Sequence, residues 1–279
     1  LADLLSRRQR DSPGRLVSLD LPAGLDSDTG CPMQGGAAFA AHTLCVGLIK
    51  CGLVQDAALA HVGSLQRIDP AVPLSLTQSL SSPAKLRVLA DDIASLPSPA
   101  EAAGATKYQR GRLLLVAGSD RYRGAAHLVV RGALASGAGS VEACLPETVA
   151  ESLWQQAPEV VVGAGLSCDG HGALLWGEAL AGRDLARLDA VLVGPGLGMV
   201  KGCWQQWADP LLAFPGLLVL DADGLNQLAF AEEGWRWLLN RSGPTWITPH
   251  HGEFERLFPE CQQRSPLEMA SAAADRCGA

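Results

Sequence analysis

The sequence lacks the features that mark several specialised classes of protein. Its eight cysteines are widely spaced and none forms a C-x-x-C pair, so the pattern fits neither a zinc site nor the disulfide scaffold of a small secreted domain. The one mostly basic stretch, Arg7 to Arg10, is interpreted as a solvated helix end. Because the formal net charge is −7 and no basic stripe is present, nucleic-acid binding is not expected. No apolar run approaches the ~20 residues of a membrane span, so we expect no membrane partner and a cytoplasmic location.

Small and aliphatic residues dominate instead of aromatic ones. Hydrophobic residues make up 48% of the chain and aromatic residues 5%, which favours a glycine-turned α/β protein over a β-sandwich. Short apolar runs alternate with helical patterns, and this alternation predicts βαβ units with a mainly parallel sheet. Strands are predicted at residues 15–19, 43–46, 64–68, 113–117, 140–144, 190–193, 217–220 and 245–247, and helices at 125–136, 147–156 and 203–212.

A change in composition divides the chain. Residues 70–104 are rich in Pro, Ser, Ala and Thr, and they include Pro73, Pro83, Pro97 and Pro99. Exposed linkers between domains have such a composition. We therefore place a domain boundary near residue 80, with one domain over residues 1–80 and a second over residues 81–279.

Loops with Gly, Asp or His follow four strands of the second domain, at residues 118–120, 194–198, 221–224 and 248–253. Because ligands bind at the carboxyl ends of the strands in open α/β sheets, we expect these loops to converge on one rim. Glycines let a backbone approach a ligand closely, and helix N-termini attract phosphate. The rim therefore predicts a ligand that carries phosphate.

Each loop also has a purely structural interpretation. Residues 194–198 lack the G-x-G-x-x-G spacing of a dinucleotide fingerprint, and residues 118–124 lack the Gly-Lys-Ser/Thr ending of a P-loop. Asp221 and Asp223 are alternatively interpreted as caps of a helix that starts near Gly224. His250 follows a proline in a loop, which favours contact with a ligand over burial. Asp20 directly follows a strand that looks buried, where a carboxylate is costly unless it is paired or used.

Taken in order, these motifs resemble two enzyme families. Residues 20–30, Thr43 and residues 50–53 resemble the last part of NAD(P)H-hydrate epimerases. Six segments resemble NAD(P)H-hydrate dehydratases, at residues 110–119, 122–126, 136–140, 189–198, 220–226 and 248–253. The joint order is similar to that of bacterial bifunctional NAD(P)H-hydrate repair enzymes. The resemblance implies an α/β chain with the C-terminal part of a Rossmann-like epimerase domain, followed by the N-terminal part of a ribokinase-like dehydratase domain.

The resemblance implies repair of hydrated NADH and NADPH, which would be the small-molecule substrates. The epimerase would interconvert the two epimers at C6. The dehydratase would use ADP or ATP to phosphorylate the C6 hydroxyl of the (6S)-hydrate and would then eliminate phosphate. The implied cofactors are ADP or ATP, with K⁺ for the epimerase domain and Mg²⁺ as a further candidate. A homo-oligomer is compatible with this interpretation.

The family's site residues carry over by position. In the epimerase part Asp20 would contact the substrate, and Ala23 stands where the family has a potassium-binding Ser, so that only a backbone carbonyl is left as a K⁺ ligand. Thr106 and Tyr108 depart from the usual His-Lys-Gly around Lys107. In the dehydratase part the hydrate-binding cleft would be lined by Gly124, Ala125, Ala126, Gly196 and Gly198, contacted by His250 and supported by Asp221, Asp223 and Asn226.

The family's remaining site segments are expected outside this sequence. The dehydratase's catalytic Asp and nucleotide-binding segment are expected beyond residue 279, and the epimerase's substrate loop before residue 1, so we expect the isolated chain to be inactive. Two alternatives stay open. One is a ribokinase-like small-molecule kinase, which would not account for residues 20–30 upstream, and the other is a non-catalytic, ligand-binding relic of the fold.

Overall fold

The computed structural model describes residues 1–73, 75–76, 93–94, 104–261 and 265–279. The chain forms two compact units, one of Leu1–Ser95 with Arg264–Glu268 and the other of Leu96–Gln263 with Met269–Ala279. The boundary predicted near residue 80 lies outside the described residues. Over the part of the chain that is described, no helix has the length and apolar character needed to cross a bilayer.

The first unit contains a three-stranded parallel sheet. Its strands are β1 (Val17–Leu19), β2 (His42–Val46) and β3 (Ser64–Ile68), and they lie side by side in that order. The helices are α1 (Ala2–Asp11) and α2 (Asp56–Val62), with a 3-10 turn at Cys51–Val54. One face of the sheet is buried, and the small core there consists of Leu25, Ala37, Cys45, Leu53, Ala58 and Val62.

The strand before Asp20 is not buried, contrary to the prediction. Val17 is 51% exposed and Leu19 is 69% exposed, because the side chains of these two residues point away from the core. The apolar composition of residues 15–19 predicted a strand correctly but did not reveal which face is covered.

The second unit is built on a six-stranded parallel sheet. The strands are β4 (Arg112–Val116), β5 (Ser140–Pro146), β6 (Val161–Leu166), β7 (Ala190–Val193), β8 (Leu217–Leu220) and β9 (Thr245–Ile247), in the order β6-β5-β4-β7-β8-β9. The helices are α3 (Arg123–Ala135), α4 (Glu147–Ala150), α5 (Cys203–Ala213), α6 (Asp223–Ala229), α7 (His251–Leu257) and α8 (Pro266–Cys277), the last of which belongs to this unit from Met269 onward. The predicted parallel α/β architecture is confirmed.

One local prediction was wrong, and one strand was missed. The helix expected over residues 147–156 is a single turn, α4, followed by a 3-10 turn at Leu153–Gln155. Strand β6 was not predicted, because Gly163 and Gly165 interrupt its apolar run and glycine disfavours a strand interior. A Cβ on Gly163 would lie 2.6 Å from Glu142 Oε1, so the Glu142 side chain would have to shift to accept it.

Both faces of the larger sheet are covered, as is normal for a parallel sheet. On one face Leu115 and Val141 pack with α3 through Ala126 and Val130. The other face carries the larger core, in which the rings of Trp176 and Trp207 meet edge to face at 4.9 Å. All eight cysteines are free thiols, and burial raises the pKa of Cys144 to about 11. This rigid, two-sided core fixes the loops that follow each strand.

Candidate active site

The carboxyl ends of β4, β7, β8 and β9 form one edge of the larger sheet, because these four strands are parallel neighbours. Direct hydrogen bonds join the loops that leave them. Gly118 N donates to Pro195 O at 2.7 Å, and Thr248 Oγ1 donates to Asp221 Oδ1 at 2.9 Å. Gly198 N donates to Asp223 Oδ2 at 2.7 Å. The structure thus brings the four predicted loops together on one rim.

A cleft of about 730 Å³ opens at this rim. Its volume lies in the range of small-molecule sites, which run from roughly 300 to 1,000 Å³. Of the predicted site residues, Ala125, Gly196, Gly198 and Asp223 line it. The remaining lining residues are Ser119, Arg121, Tyr122, His171, Gly172, Ala173, Pro195, Met199 and Ala222.

The three predicted site glycines differ in what they do. Gly196 and Gly198 have φ of +69° and +77°, a left-handed conformation that favours glycine. A Cβ on Gly196 would lie 2.7 Å from Ala125 Cβ, and one on Gly198 would lie 2.6 Å from Ala173 Cβ. Gly124 has neither constraint, since a Cβ there would meet nothing within 4 Å. Gly196 and Gly198 are therefore required by the fold, whereas Gly124 leaves open space in the first turn of α3.

Ala126 does not line the cleft with its side chain, contrary to the prediction. Ala126 is fully buried in the core between α3 and the sheet. Its Cβ fills the space that a side chain on Gly118 would need. Residues 125 and 126 are consecutive on a helix and point about 100° apart, so only Ala125 faces the rim.

The alternative interpretation, in which Asp221 and Asp223 cap α6, is wrong. Helix α6 begins at Asp223 and its N-cap residue, Ala222, makes no side-chain cap bond. Asp223 instead holds the β7 loop through Gly198 and also accepts a bond from Asn226 Nδ2 at 3.3 Å. Ala222 has φ of +47°, which is unfavourable for a residue with a Cβ and is typically found where a site over-determines the backbone.

His250 forms the N-cap of α7. Its Nδ1 accepts from Gly252 N at 3.0 Å, and its backbone N donates to Glu253 Oε2 at 2.9 Å, which completes a capping box. The His250 side chain is 67% exposed, while Glu253 is buried. The imidazole is therefore exposed on the loop after β9 and does not belong to the core, but it is not among the residues that line the cleft.

Asp20 is the predicted site residue of the first unit. Its φ is +71°, and its carboxylate accepts from Lys50 Nζ and, at 3.1 Å, from Val46 N. The hydrogen bond from Lys50 is the largest cause that lowers the pKa of Asp20, and the same bond raises the pKa of Lys50. Sequence reasoning placed Lys50 in the same motif but did not identify this ion pair.

The predicted potassium position offers little to a cation. Ala23 has no side-chain oxygen, and its carbonyl already accepts from Ala38 N at 2.8 Å. Ala23 can therefore contribute only a backbone carbonyl to a K⁺ site, and no step is assigned to K⁺.

Sequence reasoning missed the turn at residues 169–173, which closes one side of the cleft. Asp169 Oδ1 accepts from the backbone N of His171 and of Ala173, each at 2.9 Å, and Asp120 N donates to Gly172 O at 3.1 Å. The Asp-x-x-Gly pattern is typical of a turn, but nothing in it shows that the turn lies against the loop after β4, more than 40 residues away in sequence.

An open parallel sheet with a cleft at the carboxyl ends of its strands is the arrangement in which α/β proteins bind small ligands. The sequence profile of NAD(P)H-hydrate dehydratases matches residues 113–279. The chain therefore belongs to the NAD(P)H-hydrate dehydratase family.

Curated relatives extend the match to the whole chain. The bifunctional NAD(P)H-hydrate repair enzyme of Synechocystis is 39% identical over 281 aligned residues, which cover 100% of this chain and 52% of the relative. The same enzyme of Gloeobacter violaceus is 41% identical over 95% of this chain and 49% of the relative. The chain thus spans about half the length of these relatives.

A solved structure supports the fold of the second unit. The ADP/ATP-dependent NAD(P)H-hydrate dehydratase of Bacillus subtilis, crystallised with ATP and Mg²⁺, is 30% identical with a TM-score of 0.52. The alignment covers 67% of this chain and 62% of that chain.

Proposed function

We propose that the protein repairs hydrated NADH and NADPH and that the rim cleft of the second unit binds the hydrate during its nucleotide-dependent dehydration. The observation that carries the proposal is the 730 Å³ cleft at the carboxyl ends of β4, β7 and β8 in a member of the dehydratase family. The kinase alternative does not account for the match over the whole chain to bifunctional repair enzymes. The relic alternative is decided by the activity assay described below.

The geometry suits a substrate that gains negative charge. A bound ADP or ATP would supply the phosphoryl group that converts the C6 hydroxyl, a poor leaving group, into phosphate, a good one. Helix α3 directs its N-terminus toward the cleft, and its N-cap Tyr122 makes no side-chain cap bond. The positive end of the helix is therefore free to stabilise an anion. Asp223 fixes the Gly198 loop opposite through its 2.7 Å bond.

The test uses the full-length parent protein with hydrated NADH, first with ADP and then with ATP, and follows the return of the near-ultraviolet absorbance of NADH. The informative variant is His250→Asn. Asparagine at an N-cap still accepts a backbone hydrogen bond, so α7 keeps its start while the imidazole is lost. The matched control is His251→Asn, since His251 is an exposed neighbour whose partner is Glu255 at 3.3 Å.

We expect one or both nucleotides to restore NADH, His250→Asn to slow the recovery at least tenfold, and His251→Asn to leave it near wild type. Absence of recovery with either nucleotide in a folded wild-type protein would overturn the proposal. Dependence on ADP, ATP and Mg²⁺ is measured in the same assay.

We further propose that Asp20 and Lys50 contact the substrate of the epimerase reaction in the first unit. Their ion pair places a carboxylate and an ammonium side by side at the end of β1. The test is the interconversion of the two hydrate epimers without nucleotide, followed by proton NMR for wild type and Asp20→Asn. A variant that epimerises at the wild-type rate would remove Asp20 from this role. The cytoplasmic location, the homo-oligomer and the absence of nucleic-acid and membrane partners stay predictions from the sequence.

A further inference from the structure

We propose that Arg121, held by the turn at residues 169–173, binds a phosphate group of the hydrated dinucleotide. The inference rests on the proposed function and adds a residue that determines how the substrate is anchored. Arg121 is exposed and lines the cleft. No carboxylate of the described residues pairs with it, whereas the adjacent Arg123 pairs with Asp120 at 3.6 Å.

The charge balance of the cleft favours an anion near Arg121. Asp223 is the one carboxylate among the described lining residues, and its two oxygens already accept from Gly198 N and Asn226 Nδ2. No acceptor among the described residues takes the guanidinium donors of Arg121, and the positive end of α3, which begins at Arg123, lies beside it. Two sources of positive potential therefore face the cleft, and both oxygens of its one described carboxylate already accept hydrogen bonds within the protein.

The turn and the neighbouring ring hold the Arg121 side chain in place. Gly172 has φ of +79°, and a Cβ there would come within 3.1 Å of Arg121 Cγ, so the aliphatic stem lies against the glycine backbone. The Arg121 Cζ lies 5.9 Å from the centroid of the Tyr122 ring. Asp169 fixes the turn through its bonds to His171 N and Ala173 N. A side chain held in this way loses less conformational entropy on binding.

The chemistry of the substrate supplies the anion. A cleft of this size accepts more than the hydrated nicotinamide ring, and the rest of the dinucleotide carries a bridging pyrophosphate. The NADPH form carries one more phosphate on a ribose. A guanidinium presents a planar fork of donors that matches phosphate oxygens, so it is suited to either group.

The experiment compares wild type, Arg121→Gln, Arg121→Lys and the control Arg131→Gln in the full-length protein. Arg131 is an exposed residue of α3 that does not line the cleft. KM and kcat are measured with the hydrates of NADH and NADPH and with ADP and ATP. The affinity for NADPH hydrate is also measured by calorimetry without nucleotide, which needs no turnover.

We expect Arg121→Gln to raise KM and the dissociation constant by about tenfold to a hundredfold, the effect of losing a hydrogen bond to a charged group. We expect kcat and the unfolding midpoint of Arg121→Gln to change little. Arg121→Lys should keep part of the affinity that Arg121→Gln loses, and Arg131→Gln should behave as wild type. An equal rise for both hydrates assigns the pyrophosphate, and a rise confined to NADPH hydrate assigns the ribose phosphate. Unchanged hydrate affinity, or a rise confined to ADP and ATP, would overturn the inference. Arginine-dependent binding without turnover would instead reject only the proposed reaction.

Discussion

Replacement of Gly196 and of Gly124 by alanine should have opposite effects on stability, although both residues carry over from the same family site. In Gly196→Ala the left-handed backbone at φ +69° costs about 1–2 kcal/mol. The new Cβ would also lie 2.7 Å from Ala125 Cβ and 2.8 Å from Tyr122 Cβ, and such overpacking costs about 1–3 kcal/mol. We therefore expect a loss of about 2–5 kcal/mol in the free energy of unfolding.

Gly124→Ala has the reverse expectation. The position is in the first turn of α3 and a Cβ there meets nothing within 4 Å, so alanine should leave stability unchanged or raise it by up to about 1 kcal/mol. Urea denaturation of both variants measures the difference. A loss of kcat/KM in Gly124→Ala without a loss of stability would place the hydrate against this turn. A stable Gly196→Ala, or a Gly124→Ala that loses more than about 1 kcal/mol, would refute the reasoning from backbone and space.

Three further perturbations follow from the structure. Asp223→Ala removes the acceptor of Gly198 N and should cost about 1.5–3 kcal/mol by urea denaturation, with a raised KM for the hydrate. Trp207→Ala removes a fully buried ring and its bond to Trp176 O, and it should lower stability by about 3–5 kcal/mol in the same assay. Asp20 has a lowered pKa, so the stability that its charge adds to the first unit is present above the usual aspartate range and is lost as pH falls through the lowered pKa. The stability difference between wild type and Asp20→Asn, measured from neutral to acid pH, should therefore be constant at neutral pH and shrink in acid.

Controls separate these effects from general damage. Asp223→Asn keeps an acceptor and should lose less stability than Asp223→Ala, and an equal loss would mean that the bond to Gly198 contributes little. Trp154→Ala removes a ring that is 66% exposed, and a cost like that of Trp207→Ala would contradict the burial argument. A difference between wild type and Asp20→Asn that grows on acidification would contradict the sign derived for Asp20.

The sequence was sufficient to predict most of the strands in their order along the chain, and the rim where their loops meet. One physical reason explains the success. Parallel strands end on the same edge, so apolar runs followed by Gly, Asp or His loops predict a site without any knowledge of distant contacts. Gly196, Gly198 and Asp223 line the cleft that this reasoning expects, and their contact with a substrate stays a prediction. Strand β6 was missed because Gly163 and Gly165 interrupt its apolar run, and the contact of Gly163 with Glu142 on the neighbouring strand is not visible in the local sequence.

The parts of the site that could not be predicted depend on contacts between distant segments. Arg121 gains its position from Gly172, and Asp20 gains its partner from Lys50. Nothing in the local pattern around either residue specifies these partners. Which of Ala125 and Ala126 faces the cleft could also be learned only from the structure, because it depends on how α3 is rotated about its axis.

The capping box of α7 has a consequence for the chemistry open to His250. Because Gly252 N–H donates to Nδ1, this nitrogen is occupied within the protein while α7 stays capped. Nε2 lies 3.1 Å from Glu253 Oε1, so the Nε2 edge and the ring face are the parts of His250 that remain for a ligand. A ligand that required Nδ1 would have to displace the Gly252 N–H and open the first turn of the helix.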